Sequence, residues 1–221
     1  MEKYLKYLRR MLLVGAIFFA TSSVKAQYYQ IANQLANTIG PALSGGFNYE
    51  GYVDAHYLAG LGNVSINTAG VSTSQGFKYK SWFFMGVGLG VDVAMSHTHD
   101  DMSWLGGPQF TSTGVMVPVF TDFRFNVGNQ ARASFFADLK IGASFLMGNK
   151  YLRAGDGYLN NRQYFYLKPA IGVRVPLGNS GNKAVNVGVV YQLLTSNYWV
   201  DSAFSNNSVL NSLGATVGFE W

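Results

Sequence analysis

The chain contains no cysteine, which excludes disulfide staples and a lipid anchor on a cysteine behind a leader. Charge is scarce: Asp, Glu, Lys and Arg make up 12% of residues, against about 25% in an ordinary soluble domain. After residue 26 no stretch is apolar enough for a membrane helix, which needs roughly 20 such residues. Neither a Gly-x-Ser-x-Gly elbow nor a His-Glu-x-x-His pair occurs, so two common hydrolase chemistries lack their signatures. The formal charge of +5 is not a nucleic-acid footprint. Five of the sixteen bases and one of the eleven acids lie in the first 26 residues, and the remainder is nearly balanced.

What is present begins with a secretory layout. Lys3, Lys6, Arg9 and Arg10 form a basic head, Met11 to Ala20 is apolar, and Val24-Lys25-Ala26 offers small residues where a signal peptidase reads. Residues 1–26 are therefore expected to be a cleaved signal, leaving about 195 residues, enough for one barrel-sized domain. Within 27–45, Ile31, Leu35 and Ile39 recur every four residues among Gln and Asn, the spacing of a short amphipathic helix that ends near Gly40-Pro41. This segment is expected on the periplasmic side, ahead of a barrel over 46–221.

From Gly45-Gly46 onward the apolar period changes to two, the period of half-buried strands. Eight strands are expected, over 47–60, 64–78, 82–95, 115–127, 133–147, 163–176, 183–195 and the terminal 212–221. The second has the least clear alternation, because Ser, Thr and Asn fall on both faces. Connections alternate in length: short near 78–81, 128–132 and 176–182, long at 96–114, 148–162 and 196–211. Short turns on one side and long loops on the other characterise membrane barrels, and the short link at 60–63 is an exception. An even strand number places both termini on the periplasmic side. Pro169 removes a ladder donor in a sheet without edges, and a local bulge is expected there.

One face of these strands carries no ionised side chain. The other carries Glu50, Asp54, Asp92, Asp122, Arg124, Asp138, Lys140, Lys168, Arg174 and Glu220. If every backbone group is to be satisfied in lipid without helices, the remaining solution is a closed barrel. An eight-stranded barrel leaves room for little besides side chains, so the inward charges are expected to pair. At least two of Arg124, Lys140, Lys168 and Arg174 should lie within salt-bridge distance of inward acids. Gly86, Gly88 and Gly90 fall at period two inside a strand and make room for bulky neighbours, unlike a dinucleotide-binding run, which opens a helix.

Trp82, Phe83, Phe84, Phe135, Phe136, Tyr164, Phe165, Tyr166, Phe219 and Trp221 cluster near strand ends, as interfacial girdles do. His97, His99 and Asp101 form the one metal-like group. Consecutive loop residues rarely complete a coordination shell, so no metal and no cofactor are expected. No catalytic residue is assigned.

Several segments resemble the small outer-membrane β-barrel family (OmpA/OmpX-like, eight-stranded) of Bacteroides-type bacteria. They are Gly45-Gly46-Phe47-Asn48-Tyr49-Glu50-Gly51-Tyr52-Val53, Gly70 to Phe77, Trp82 to Val91, Val117 to Arg124 and Pro169 to Arg174. The resemblance spans roughly residues 27–221. It implies an all-β, eight-stranded, antiparallel up-and-down transmembrane barrel in the outer membrane, and it carries over no catalytic residue. It also implies that the terminal Phe219 and Trp221 are the signal read by the barrel-assembly machinery. Together these readings lead to an integral, non-enzymatic barrel in contact with outer-membrane lipid, structural or binding an extracellular ligand through loops bearing Trp104, Tyr151, Tyr158, Tyr198, Trp199 and Phe204. A narrow solute pore, a lipid-modifying enzyme and a soluble lipocalin-like carrier are the alternatives.

Overall fold

The computed structural model describes residues 46–62, 66–96, 110–128, 131–148, 150–154, 157–159, 162–178, 183–196 and 209–221. The expected leader, the 28–44 helix and the His97/His99/Asp101 group lie outside the described residues. Eleven strands are described: β1 (Phe47–Leu61), β2 (Ile66–Tyr79), β3 (Phe83–Ser96), β4 (Phe110–Thr111), β5 (Thr113–Val127), β6 (Ser134–Leu146), β7 (Tyr151–Ala154), β8 (Gly157–Leu159), β9 (Gln163–Pro176), β10 (Ala184–Thr195) and β11 (Val209–Glu220). Eight of them close a barrel in the order β1-β11-β10-β9-β6-β5-β3-β2, every neighbour antiparallel. The all-β, eight-stranded, antiparallel architecture is thus as the alternation implies.

The sides of the wall follow from register. Tyr52 pairs with Glu220 and Ser74, Asp122 with Lys140, and Asn186 with Arg174. Even-numbered residues always meet even-numbered ones, so all eight strands turn their even positions inward. The odd positions outside include Val71, Leu89, Val119, Phe135, Ile171, Val189 and Val217, all exposed. No Asp, Glu, Lys or Arg stands at an odd position of any of the eight strands. A one-residue slip would turn the whole charged set onto the greasy exterior, so the pattern pins the register.

Both interior prolines interrupt the ladder without shifting it. Between β9 and β10 the pairing runs to Val190↔Ala170 and resumes at Leu193↔Leu167. Two rungs drop out around Pro169, but the offset is unchanged, so the expected bulge is absent. The missing N–H costs its bond locally and the flanking rungs hold the alignment. Pro118 does the same between β5 and β3, where pairing passes from Leu89↔Val119 to Asp92↔Met116.

The ends of the barrel differ. At the end bearing Phe47 and Trp221 the hairpins are short. The first turns at Lys80, a non-glycine residue at φ 51°, and Gly128 (φ 125°) and Gly178 (φ 79°) begin the other two. Outward aromatics gather just above: Phe47 against Tyr79 (centroids 4.9 Å), Trp82 against Phe83 (5.5 Å) and Phe83 against Phe125 (5.0 Å). At the opposite end the β6–β9 connection is not a plain loop. It forms β7 and β8, and with β4 they make a small second sheet, β4 parallel to β7 and β7 antiparallel to β8. Leu152 of β7 is fully buried, in one cluster with Ile66, Met116, Leu146, Tyr166 and Leu210. The hydrophobic effect thus closes that end of the lumen with a side chain from outside the barrel wall.

Candidate functional site: a charged lumen in three tiers

The lumen is the candidate site because ionised groups buried there are expensive unless every charge is answered. Glu50, Asp54, Asp92, Asp122, Arg124, Asp138, Lys140, Lys168, Arg174 and Glu220 all point inward and are buried. They form three tiers along the axis.

Nearest the end bearing Phe47 and Trp221, Arg174 on β9 grips Glu220 on β11 with both arms of its fork, Nε to Oε2 at 2.8 Å and a terminal nitrogen to Oε1 at 2.7 Å. This bidentate geometry is among the strongest a carboxylate can find. Lys78 Nζ then bridges Glu220 (2.9 Å) to Glu50 (2.7 Å). The Tyr52 hydroxyl donates to Glu50 at 3.2 Å.

The middle tier is a crossed quartet from one hairpin. The rungs Asp122↔Lys140 and Arg124↔Asp138 join β5 to β6 with opposite charges facing at each rung. Arg124 lies 3.1 Å from Asp138 and 3.2 Å from Asp54 of β1. Lys140 lies 3.1 Å from Asp54 and 3.4 Å from Asp122, and is bonded to Asp138 as well. Ser74 donates to Asp122. Arg124 Nε and one terminal nitrogen have no hydrogen-bond partner. The guanidinium instead lies over the Tyr52 ring at 4.0 Å and near Phe136 at 5.2 Å, a cation–π arrangement that gains strength where water is excluded.

The upper tier joins Lys168, His56 and Asp92. Lys168 Nζ donates to His56 Nδ1 at 2.8 Å. An ammonium has no acceptor, so the imidazole accepts there and carries its proton on Nε2, 3.3 Å from Asp92 Oδ1. That approach is electrostatic and not an aligned hydrogen bond, since neither atom has a hydrogen-bond partner. His56 and Asp92 belong to β1 and β3 and meet across β2 because the residue between them is Gly70. A Cβ at position 70 would collide with the Asp92 carboxylate.

Other glycines accommodate aromatic rings. A Cβ at Gly88 would meet the Phe120 ring 2.5 Å away, and one at Gly172 the Phe136 ring at 2.7 Å. The period-two glycines of β3 and Gly172 of β9 are therefore spaces filled by neighbours.

Arg124, Lys140 and Arg174 each contact inward acids; Lys168 meets His56. Lys78 is the network member that alternation alone passes over. Polar residues on both faces of β2 hide its side, although Phe77 and Tyr79 flank it at the outward parity. Carboxylate oxygens of Asp54, Asp122 and Asp138 lie within 4.8 Å of one another, close enough to hold a hard cation. Lys140 and Arg124 already supply the positive charge there, so the donors present do not call for a metal. Phe219 is exposed on the wall and stacks on Trp221 at 6.0 Å. Trp221 exchanges backbone hydrogen bonds with Gly51 (3.1 and 3.2 Å), extending the barrel seam by one residue. Tyr151 lies on β7 and Tyr158 on β8, while Trp104, Tyr198, Trp199 and Phe204 lie outside the described residues.

No protein-family model and no curated relative matches the sequence. Among solved structures, the chain is similar to Neisserial surface protein A, with a TM-score of 0.51 and 10% identity over 80% of this chain and 98% of that one. It also matches the outer membrane enzyme PagL, at 0.49 and 16% over 75% and 97%. A third match is the N-terminal β-barrel domain of Pseudomonas aeruginosa OprF, at 0.39 and 10% over 78% and 97%. The likeness to the Neisserial protein is one of fold.

Proposed function

We propose that this protein is an integral outer-membrane barrel, exported by a cleaved signal, whose lumen acts as a structural strut and whose loops do the binding. The observation that carries the reading is the outer wall: odd positions of all eight strands are without ionised side chains, and many bear large apolar ones in the open. Water would penalise so much exposed hydrocarbon, whereas acyl chains would not. The lumen supports a non-conducting, non-enzymatic role. Its two lower tiers tie acids to bases, His56 stands between Lys168 and Asp92, and the far end is filled by the apolar cluster around Leu152. Phe219 and Trp221, at the end of the closing strand, are the proposed contact for barrel-assembly machinery.

The test is a pair of measurements on the full chain. Carbonate-washed membranes should retain it, and it should migrate differently on gels with and without boiling, as intact barrels do. Release by carbonate would overturn the membrane reading. Steady single-channel openings in planar bilayers would replace the strut with a narrow pore.

A further inference from the structure

The charge census has a remainder that the lumen does not absorb. Of the eleven bases after residue 26, five line the lumen (Lys78, Arg124, Lys140, Lys168 and Arg174), and three (Lys150, Arg153 and Arg162) belong to the β6–β9 connection. The last three, Lys80, Arg132 and Lys183, fall one to each short hairpin at the end bearing Phe47 and Trp221. No Asp or Glu lies in any of those hairpins, whereas the opposite loops contain Asp100, Asp101, Asp156 and Asp201.

Around the barrel the three hairpins join β2 to β3, β5 to β6 and β9 to β10. The bases are therefore spread around the rim, at three of its four alternate strand intervals, the fourth being the β1–β11 seam. All three are exposed, and among the described residues none has a carboxylate within ion-pair distance. Lys80 sits directly beyond the aromatic cluster of Phe47, Tyr79, Trp82, Phe83 and Phe125, and Arg132 and Lys183 occupy the other two turns at the same end of the barrel. The left-handed backbone at Lys80 places its ammonium 5.2 Å from the Tyr79 ring, beside that belt.

From this placement we infer that the turn end carries a cationic collar that binds the phosphate groups of anionic phospholipids. The inference rests on the membrane reading above. An aromatic belt marks the level of the headgroups, so bases one turn further out stand where lipid phosphates lie. A single-sign ring without acids is attracted to an anionic surface by roughly fivefold in affinity per base. A carboxylate-bearing protein or glycan partner would need a patch on one side of the rim, and these charges are instead distributed around it.

The experiment uses the full chain in a Trp104→Phe/Trp199→Phe background, so that Trp82 and Trp221 report from the belt at the turn end. It is reconstituted in vesicles containing phosphatidylcholine and phosphatidylglycerol, with one or the other brominated near the carbonyl. Tryptophan quenching then gives the relative association of the two lipids. The collar requires preferential quenching by brominated phosphatidylglycerol, about fivefold or more at low ionic strength. The preference should fall toward unity in concentrated salt, where screening shortens to a few ångströms. Lys80→Gln/Arg132→Gln/Lys183→Gln should abolish it, and Lys80→Arg/Arg132→Lys/Lys183→Arg should keep it, with gel migration reporting folding of each variant. If the neutral variant does not fold, the salt titration of the parent decides. Equal quenching by both lipids, or a preference that survives salt or neutralisation, overturns the collar and leaves the membrane reading standing. Absence of quenching by either lipid overturns the membrane reading itself.

Discussion

Lys140 on β6 reaches Asp54 on β1 at 3.1 Å, and those two strands lie diametrically opposite in the ring. The pair is a strut across the bore. It is reinforced by Arg124, which binds the same Asp54 from β5 at 3.2 Å. Removing one partner of a buried pair costs about 3–5 kcal/mol, because the other charge is stranded. Lys140→Met leaves Asp54, Asp122 and Asp138 facing a single Arg124. Denaturant unfolding in detergent micelles should show a loss of about that size. Adding Asp54→Asn to Lys140→Met should recover part of it, giving a non-additive cycle. Strict additivity of the two changes would mean that the contact does not bear load.

Gly70 leaves the room in which His56 and Asp92 meet. A Cβ there meets the Asp92 carboxylate and the His56 ring, so Gly70→Ala must push the upper tier apart. Overpacking of this kind costs about 1–3 kcal/mol. Gly90→Ala, one strand away, meets its neighbours only at 3.0–3.1 Å and should cost clearly less in the same unfolding assay. A neutral Gly70→Ala would show that His56 and Asp92 do not depend on one another.

The same residues explain what could be read in advance. β3, β6 and β10 combine an apolar odd face with glycines or charges on the even face, and their spans lie within a residue or two of the periodicity. The quartet was legible too: Asp122-x-Arg124 and Asp138-x-Lys140 become complementary once a hairpin folds them together. β2 was blurred because Asn67, Thr73 and Gln75 stand on its outer face, and Lys78 was lost with it. The β4–β7–β8 sheet has pieces of two to four residues, too short for any period, and one of its pairings is parallel and non-local. The bulge expected at Pro169 is absent because a closed eight-stranded ring forgoes two rungs there and keeps its register on both sides.

A third expectation separates lipid from water. Ile171 points outward and is 67% exposed. On the membrane reading, Ile171→Arg puts a guanidinium among acyl chains and should destabilise the barrel in vesicles by about 2–4 kcal/mol. On the surface of a soluble carrier the same change would fall within about 0.5 kcal/mol of neutral. Urea titration of vesicle-inserted protein, followed by tryptophan emission, distinguishes the two. A neutral result would place this wall in water.

Leu152 tests the closed end. It enters the apolar cluster from β7, outside the barrel wall, and a Cβ at Gly114 would touch both its methyls at 3.4 Å. Its burial is the described anchor of the second sheet to the barrel mouth, so Leu152→Ala should release β7 while leaving the eight-stranded ring intact. Limited proteolysis should then cut within 148–162 faster than in the parent, by on the order of tenfold or more if the local loss reaches the about 2–5 kcal/mol of a buried leucine truncation. Gel migration of the uncut barrel should be unchanged. Conductance should stay silent in the same variant, because the Lys140–Asp54 strut and the Arg174–Glu220–Lys78 chain still cross the bore below. Openings appearing on Leu152→Ala alone would make the leucine a gate over a conducting lumen and would displace the strut as the reason the barrel is closed.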